Sequence, residues 1–252
     1  MSLLVGASPT SQVAPRSDMV AAAAPAPCPN PWFPMEEGLS LTYRAGRSSE
    51  LVLATKDVAP NPDGTVKATL AVSLKGRSGQ TDLTCDSEGV RTGLGGLEGT
   101  LLSASGMDVQ VVNAEGAAVP APSVMVPGGT WKNSLSVKLQ PPARKGGLRP
   151  TIATTFDKEA TVVGEEEITV AAGTFKALKI KNITTARASR PGAEGRSMES
   201  FMWFAPDVGI LKLTTDGETN LELLKVDRPN AKVKPAAIQG GAKKKAVKPT
   251  KS

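Results

Sequence analysis

The sequence predicts an all-β protein, an antiparallel sandwich or barrel of many short strands. Apolar and polar residues alternate in short runs, and these runs are bounded by Gly, Pro, Asn or Asp. No segment longer than about ten residues repeats with a helical period. One-sided alternation of this kind describes a sheet that is wet on one face and dry on the other.

Taken in order, "GLSLTYR" puts Leu39, Leu41 and Tyr43 on one face and Ser40, Thr42 and Arg44 on the other. "ELVLATKDV" and "TVKATLAVSLKG" flank "APNPDG", a turn signal. In the second of these, Val66, Ala68, Leu70, Val72 and Leu74 share a face. "WKNSLSVKLQ" sets Trp131, Leu135, Val137 and Leu139 against Lys132, Ser134, Ser136 and Lys138. Six further strands read as "TIATTFDKEATVV", "EEITV", "TFKALKIKNITTAR", "SMESFMWFA", "GILKLTT" and "NLELLKV". "LGGLEGTLLSASGM", residues 94–107, is Gly-rich and weakly patterned; it reads as a flexible connection or a lip over a barrel. It lacks the Lys-Ser/Thr of a phosphate-binding loop.

These strands fill one domain, residues 31–228. Residues 1–30, rich in Ala, Pro and Ser, read as a leader or linker or as a truncated export signal. Residues 229–252 read as a disordered tail, because Pro, Gly and like charge dominate them. The chain has no run of 18 apolar residues, so no membrane-spanning helix is expected.

Charge is concentrated in that tail. The chain carries +6 overall, but seven lysines and no acid follow Pro229, which leaves −1 on the rest. The basic character therefore belongs to the tail, where Lys243, Lys244, Lys245 and Lys248 are the candidates for contact with a polyanion or an anionic surface. No aromatic residue is interleaved with them, so no specific nucleic-acid recognition is expected.

Histidine is absent, which removes the commonest general base, metal ligand and triad partner. Two cysteines cannot make a four-ligand zinc site. In an oxidising compartment Cys28 and Cys85 would form a disulfide pinning the N-terminal segment to the sheet; otherwise Cys85 is a buried thiol and Cys28 an exposed one. Glu165, Glu166 and Glu167 cluster in sequence, but adjacent strand residues point to opposite faces and do not make a carboxylate pair. They read as solvated turn acids. No catalytic residue, metal or cofactor is expected.

Nine aromatic side chains occur in the chain, and Phe201, Trp203 and Phe204 fall within four residues. A period of two puts Phe201 and Trp203 on one face and Met202 and Phe204 on the other. Core packing is the default explanation for them, and a hydrophobic ligand pocket is the sharper alternative.

"VAAGTFKALKIKN", Val170–Asn182, followed by "SFMWFAPDVGILKL", resembles an uncharacterised family of bacterial cell-envelope β proteins. "PCPNPWFPMEEGLSLTYR", Pro27–Arg44, is similar to the opening of that family's domain. The resemblance spans residues 28–228. It implies a curved antiparallel sheet or half-open β-barrel, like the envelope carriers that hold lipoprotein acyl chains. It also implies export, to the periplasm or cell envelope of a Gram-negative bacterium, and brings no catalytic residues with it. The Lys-rich tail lies outside the family pattern.

The resulting expectation is a non-enzymatic envelope protein that binds a lipid or other hydrophobic ligand on a concave sheet face, or that serves as a scaffold. Trp131, Phe156, Leu178, Ile180, Phe201 and Trp203 are the candidates for that face. Binding of a polyanion or nucleic acid through the tail is the alternative, and an enzyme of unknown class is the third.

Overall fold

A computed structural model of the chain describes residues 30–142, 149–188 and 194–229. The strands are β1 (Ser40–Ala45), β2 (Ser49–Pro60), β3 (Val66–Leu74), β4 (Arg77–Asp86), β5 (Gly89–Thr92), β6 (Asp108–Glu115), β7 (Val119–Pro120) and β8 (Thr130–Gln140). They continue with β9 (Ile152–Val170), β10 (Gly173–Ala188), β11 (Arg196–Ala205), β12 (Gly209–Thr215) and β13 (Glu218–Asp227). One short helix, α1 (Leu97–Ala104), lies between β5 and β6.

All 13 strands form one sheet in the order β6-β8-β9-β10-β11-β12-β13-β1-β2-β3-β4-β5-β7. The sheet is antiparallel throughout and does not close into a barrel. Most neighbours are consecutive in the chain, as turn-bounded alternation requires. The exception that makes one sheet of the fold is the pairing of β13 with β1, in which Leu223 faces Tyr43. It joins two limbs, β8–β13 and β1–β5, and leaves β6 and β7 as the edges.

Alternation assigns the inner face. Val66, Ala68, Leu70, Val72 and Leu74 of β3 are all buried, as the sequence predicts. Across the other limb the same parity buries Leu135 and Val137 on β8, Ala160 and Val162 on β9, and Leu178 and Ile180 on β10. Side chains from both limbs, including Leu53, Leu70, Met202 and Ile210, belong to one packed cluster, so the sheet curls to bring its limbs together. Burying each such side chain stabilises the fold by roughly 1.5–3 kcal/mol.

Two expected strands, "TIATTFDKEATVV" and "EEITV", are one 19-residue strand, β9. Glu165–Glu167 therefore lie within a strand and not in a turn. The pairing with β10 slips once: Gly164 faces Lys179 but Val162 faces Ile180, which leaves Val163 as the extra, half-exposed residue. Such a bulge bends the hairpin. Beyond the bend its tip reaches past β11 and β12 to β13. The Ala172 amide donates to the Leu223 carbonyl at 3.2 Å, and the Ala171 amide to the Glu222 carboxylate at 3.2 Å. That crossing explains why Met202, Trp203, Phe204 and Ala205 are all buried, although they point alternately to opposite faces.

The segment before β1 closes one end. The Asn30 side-chain amide donates to the Pro120 carbonyl on edge strand β7 at 2.9 Å, and the Asp207 amide donates to the Pro31 carbonyl at 2.7 Å. Residues 30–31 thus tie edge strand β7 to the β11–β12 turn. Asp207 sits at φ 61° and Gly209 at φ 97°, which explains the "PDVG" composition of this turn. Cys85 is buried on β4 beside Val90. Its expected partner Cys28, the rest of the leader and the lysines of the tail, Lys243, Lys244, Lys245 and Lys248 among them, lie outside the described residues.

Candidate functional site

The two limbs enclose an apolar chamber. It holds two small cavities, of about 30 Å³ and about 40 Å³, separated by Phe33, Leu53, Leu70 and Ile210, which line both. Leu39, Leu41 and Tyr43 of the β1 region complete the first, and Met202, Phe204, Leu97, Thr100 and Lys158 contribute to the second. Each cavity is the size of a water molecule or two, far below the ~300–1,000 Å³ of a typical ligand site. As it stands, the chamber is filled by the protein's own side chains.

Besides strand side chains such as Leu53, Leu70 and Ile210, two elements that are not strands of the sheet help to fill it. Phe33, on the segment that crosses from β7 to the β11–β12 turn, stands between the cavities. The other is α1, in the region expected to be a connection or a lip. Leu97 and Leu101 pack on the main cluster, whereas Leu102 packs on a second cluster of Leu135, Val137 and Leu139. The helix thus bridges the β1–β5 limb and the β6–β8 edge. It has eight residues, and its N-cap, Gly96, provides no side-chain bond. A helix shorter than about 12 residues does not hold its own shape in water, so these contacts hold it in place. The approach is close: a Cβ on Gly99 would stand 2.0 Å from the Leu94 carbonyl oxygen and 3.1 Å from Leu135.

The six sequence candidates fall on two sides of the sheet. Trp131, Phe156, Leu178 and Ile180 share the inner face, because each pairs across strands with an inner-face residue: Trp131 with Ala160, Phe156 with Leu135, Leu178 with Phe204, and Ile180 with Met202. Phe201 and Trp203 lie on the opposite face, where their ring centroids are 6.4 Å apart. Lys179 Nζ stands 5.2 Å from both rings and Lys212 Nζ 5.5 Å from Trp203. The Trp203 indole N–H donates to the Glu166 carboxylate, so this member of the acidic cluster is a structural partner. The residues of β11 that do line the chamber are Met202 and Phe204. The same period of two identified them as a pair; what it lacked was knowledge of which face is enclosed.

The inner face also carries polar residues that alternation alone did not single out. Asn133, Lys158, Asn182, Thr184 and Ser200 are each at most 9 % exposed. Asn133 faces Lys158, Lys158 faces Thr184, and Asn182 faces both Ala160 and Ser200. Among the described residues no three His, Cys, Asp or Glu side chains converge as metal ligands, and no helix is long and apolar enough to cross a membrane.

No family model matches the chain, and no curated protein matches it significantly. Two solved structures share the fold. One is a Bacteroides fragilis protein, provisionally described as exported and as having a YmcC-like fold. Its TM-score is 0.54 at 19 % identity, with 78 % of this chain and 99 % of that one covered. The other is a protein from Parabacteroides distasonis, provisionally described as a lipoprotein, with a TM-score of 0.51, 16 % identity, and 79 % and 99 % of the two chains covered. At these identities the likeness is one of fold. The 99 % coverage of both neighbours means that this curled sheet accounts for each of them almost whole.

Proposed function

We propose that the protein is a non-enzymatic component of the Gram-negative cell envelope that holds a hydrophobic ligand, of acyl-chain type, on the inner face of its sheet. The observation that carries this reading is an apolar chamber between two limbs of one sheet, filled in part by a helix and a loop that are not part of that sheet. A ligand takes the place of α1 or Phe33 and need not break any strand pairing. Burial of its chain stabilises the complex by roughly 25 cal/mol per Å² of apolar area. The provisional descriptions of the two fold neighbours, one exported and one a lipoprotein, support the location.

Tryptophan fluorescence tests the reading, with Trp131 as the inner-face reporter and Trp32 and Trp203 changed to Phe. Saturable change on titration with palmitate is expected. An unchanged signal up to the solubility limit of the fatty acid counts against a ligand chamber and leaves the scaffold role. The alternative reading, binding of a polyanion through the Lys-rich tail, has its own test: deleting residues 229–252 removes binding to a polyanion at moderate salt if its lysines carry that activity, and leaves it intact if they do not.

A further inference from the structure

The inner face of β8, β9 and β10 holds two buried donors with no acceptor among the described residues: the Trp131 indole N–H and the Asn182 side-chain amide. They belong to one row across the sheet. Trp131 pairs with Ala160, and Ala160 pairs with Asn182. The two donors thus flank the smallest side chain of the row, on strands two apart, with backbones about 10 Å from each other. Asn182 is 1 % exposed and Ala160 also 1 %, so neither is a surface residue.

Leaving a buried donor without a partner is destabilising, and an apolar residue of the same shape would avoid the cost. Two such groups on either side of an alanine, on one face of the sheet, are the arrangement that would receive an oxygen acceptor from outside the protein. The row adjoins the apolar chamber. Lys158 on β9, opposite Thr184, and Met202 on β11, opposite Ile180, stand in the next inner-face rows on the two sides of this one, and both line the 40 Å³ cavity.

We infer that the row Trp131–Ala160–Asn182 binds the oxygen-bearing end of an acyl ligand, the carboxylate of a free fatty acid or the carbonyl of an acyl ester, while the chain lies among Met202, Phe204, Leu53 and Leu70. This rests on the chamber reading above and adds to it a head-group site and an orientation.

The test compares palmitate, methyl palmitate and hexadecane on the full chain and on the variants Asn182→Leu and Trp131→Phe, by isothermal titration or competition with a fluorescent fatty acid. Wild type should bind the two oxygen-bearing probes at least tenfold more tightly than hexadecane. Each variant should lose about tenfold toward them and nothing toward hexadecane, the size of one hydrogen bond made in a buried site. The thermal midpoint of Asn182→Leu should equal or exceed that of wild type, which separates lost binding from lost folding. A preference for palmitate over its ester assigns the free acid, and equal binding assigns the acyl ester. If hexadecane binds as well as palmitate, or if the variants bind palmitate like wild type, the head-group site is wrong and the chamber stands. If no probe binds, both fall.

Discussion

Replacing Tyr43 by Phe removes a single oxygen from the interior. Tyr43 is fully buried, and its hydroxyl donates to the Ile210 carbonyl at 2.9 Å, from β1 to β12 past the intervening β13. The β12–β13 ladder begins at Lys212, so Ile210 lies beyond it, and the phenol is what braces this end of the sheet. No carbon is lost, so no sizeable cavity forms. The cost is a net hydrogen bond plus a buried carbonyl deprived of its donor, about 2 kcal/mol together. For a domain of this size that lowers the thermal midpoint by about 4–8 °C.

The pH dependence provides a second, independent signature. Burial raises the Tyr43 pKa well above its ordinary 10.0. Above pH 10 the unfolded chain ionises its phenol while the folded chain does not, so wild-type stability is complete below that value and declines above it. The Tyr43→Phe variant has no phenol to ionise and escapes this decline. Urea unfolding followed by circular dichroism should therefore show a gap near ~2 kcal/mol at pH 7 that narrows as pH rises past 10. Tyr43 is the sole tyrosine, so its ultraviolet titration should coincide with unfolding. A gap of zero at pH 7, a gap that stays constant to pH 11, or phenol titration near pH 10 in the folded protein would each refute the reasoning.

Glu222→Ala removes the carboxylate that receives Ala171 and pairs with Arg44. The site is partly exposed, so about 1 kcal/mol is expected, with faster hydrogen exchange confined to Ala171 and Ala172; unchanged exchange would mean the hairpin tip is held otherwise. Gly99→Ala forces α1 away from Leu94 and should cost about 1–3 kcal/mol while raising the binding of a hydrophobic dye; unaltered dye binding would show that α1 does not seal the chamber. Non-reducing peptide mapping of the protein from an oxidising compartment should recover Cys28 linked to Cys85, and reduction should lower stability by up to about 4 kcal/mol in the chain-entropy picture. Recovery of two free thiols would exclude the pair.

Local pattern carried the strand content far. β3 and β8 were legible residue by residue, because one face of each is buried and a period of two has a single reading there. The bend in β9 was not, since a bulge at Val163 breaks the period and Glu165–Glu167 look like a turn until Trp203 and Lys179 supply their partners. The helix is not legible because Gly99 lowers its helical propensity and the glycines before it, Gly95 and Gly96, read as a loop; packing against Leu135, a long-range property, overrides this. For the site, Leu178 and Ile180 were placed on the enclosed face, but Phe201 and Trp203 were not. Both faces of β11 are apolar, because the β9–β10 hairpin crosses one of them, and composition alone cannot tell that cover from a ligand chamber. Two segments far apart in the chain do meet in space: the Asp207 amide of the β11–β12 turn holds the Pro31 carbonyl of the segment before β1.

The claim that the curled sheet encloses a ligand chamber is tested most directly by native mass spectrometry of the protein purified without detergent from its own host. A bound species carrying an acyl chain, displaced by added palmitate, is the predicted result. A spectrum of the bare chain alone, unchanged after palmitate is added, would contradict it.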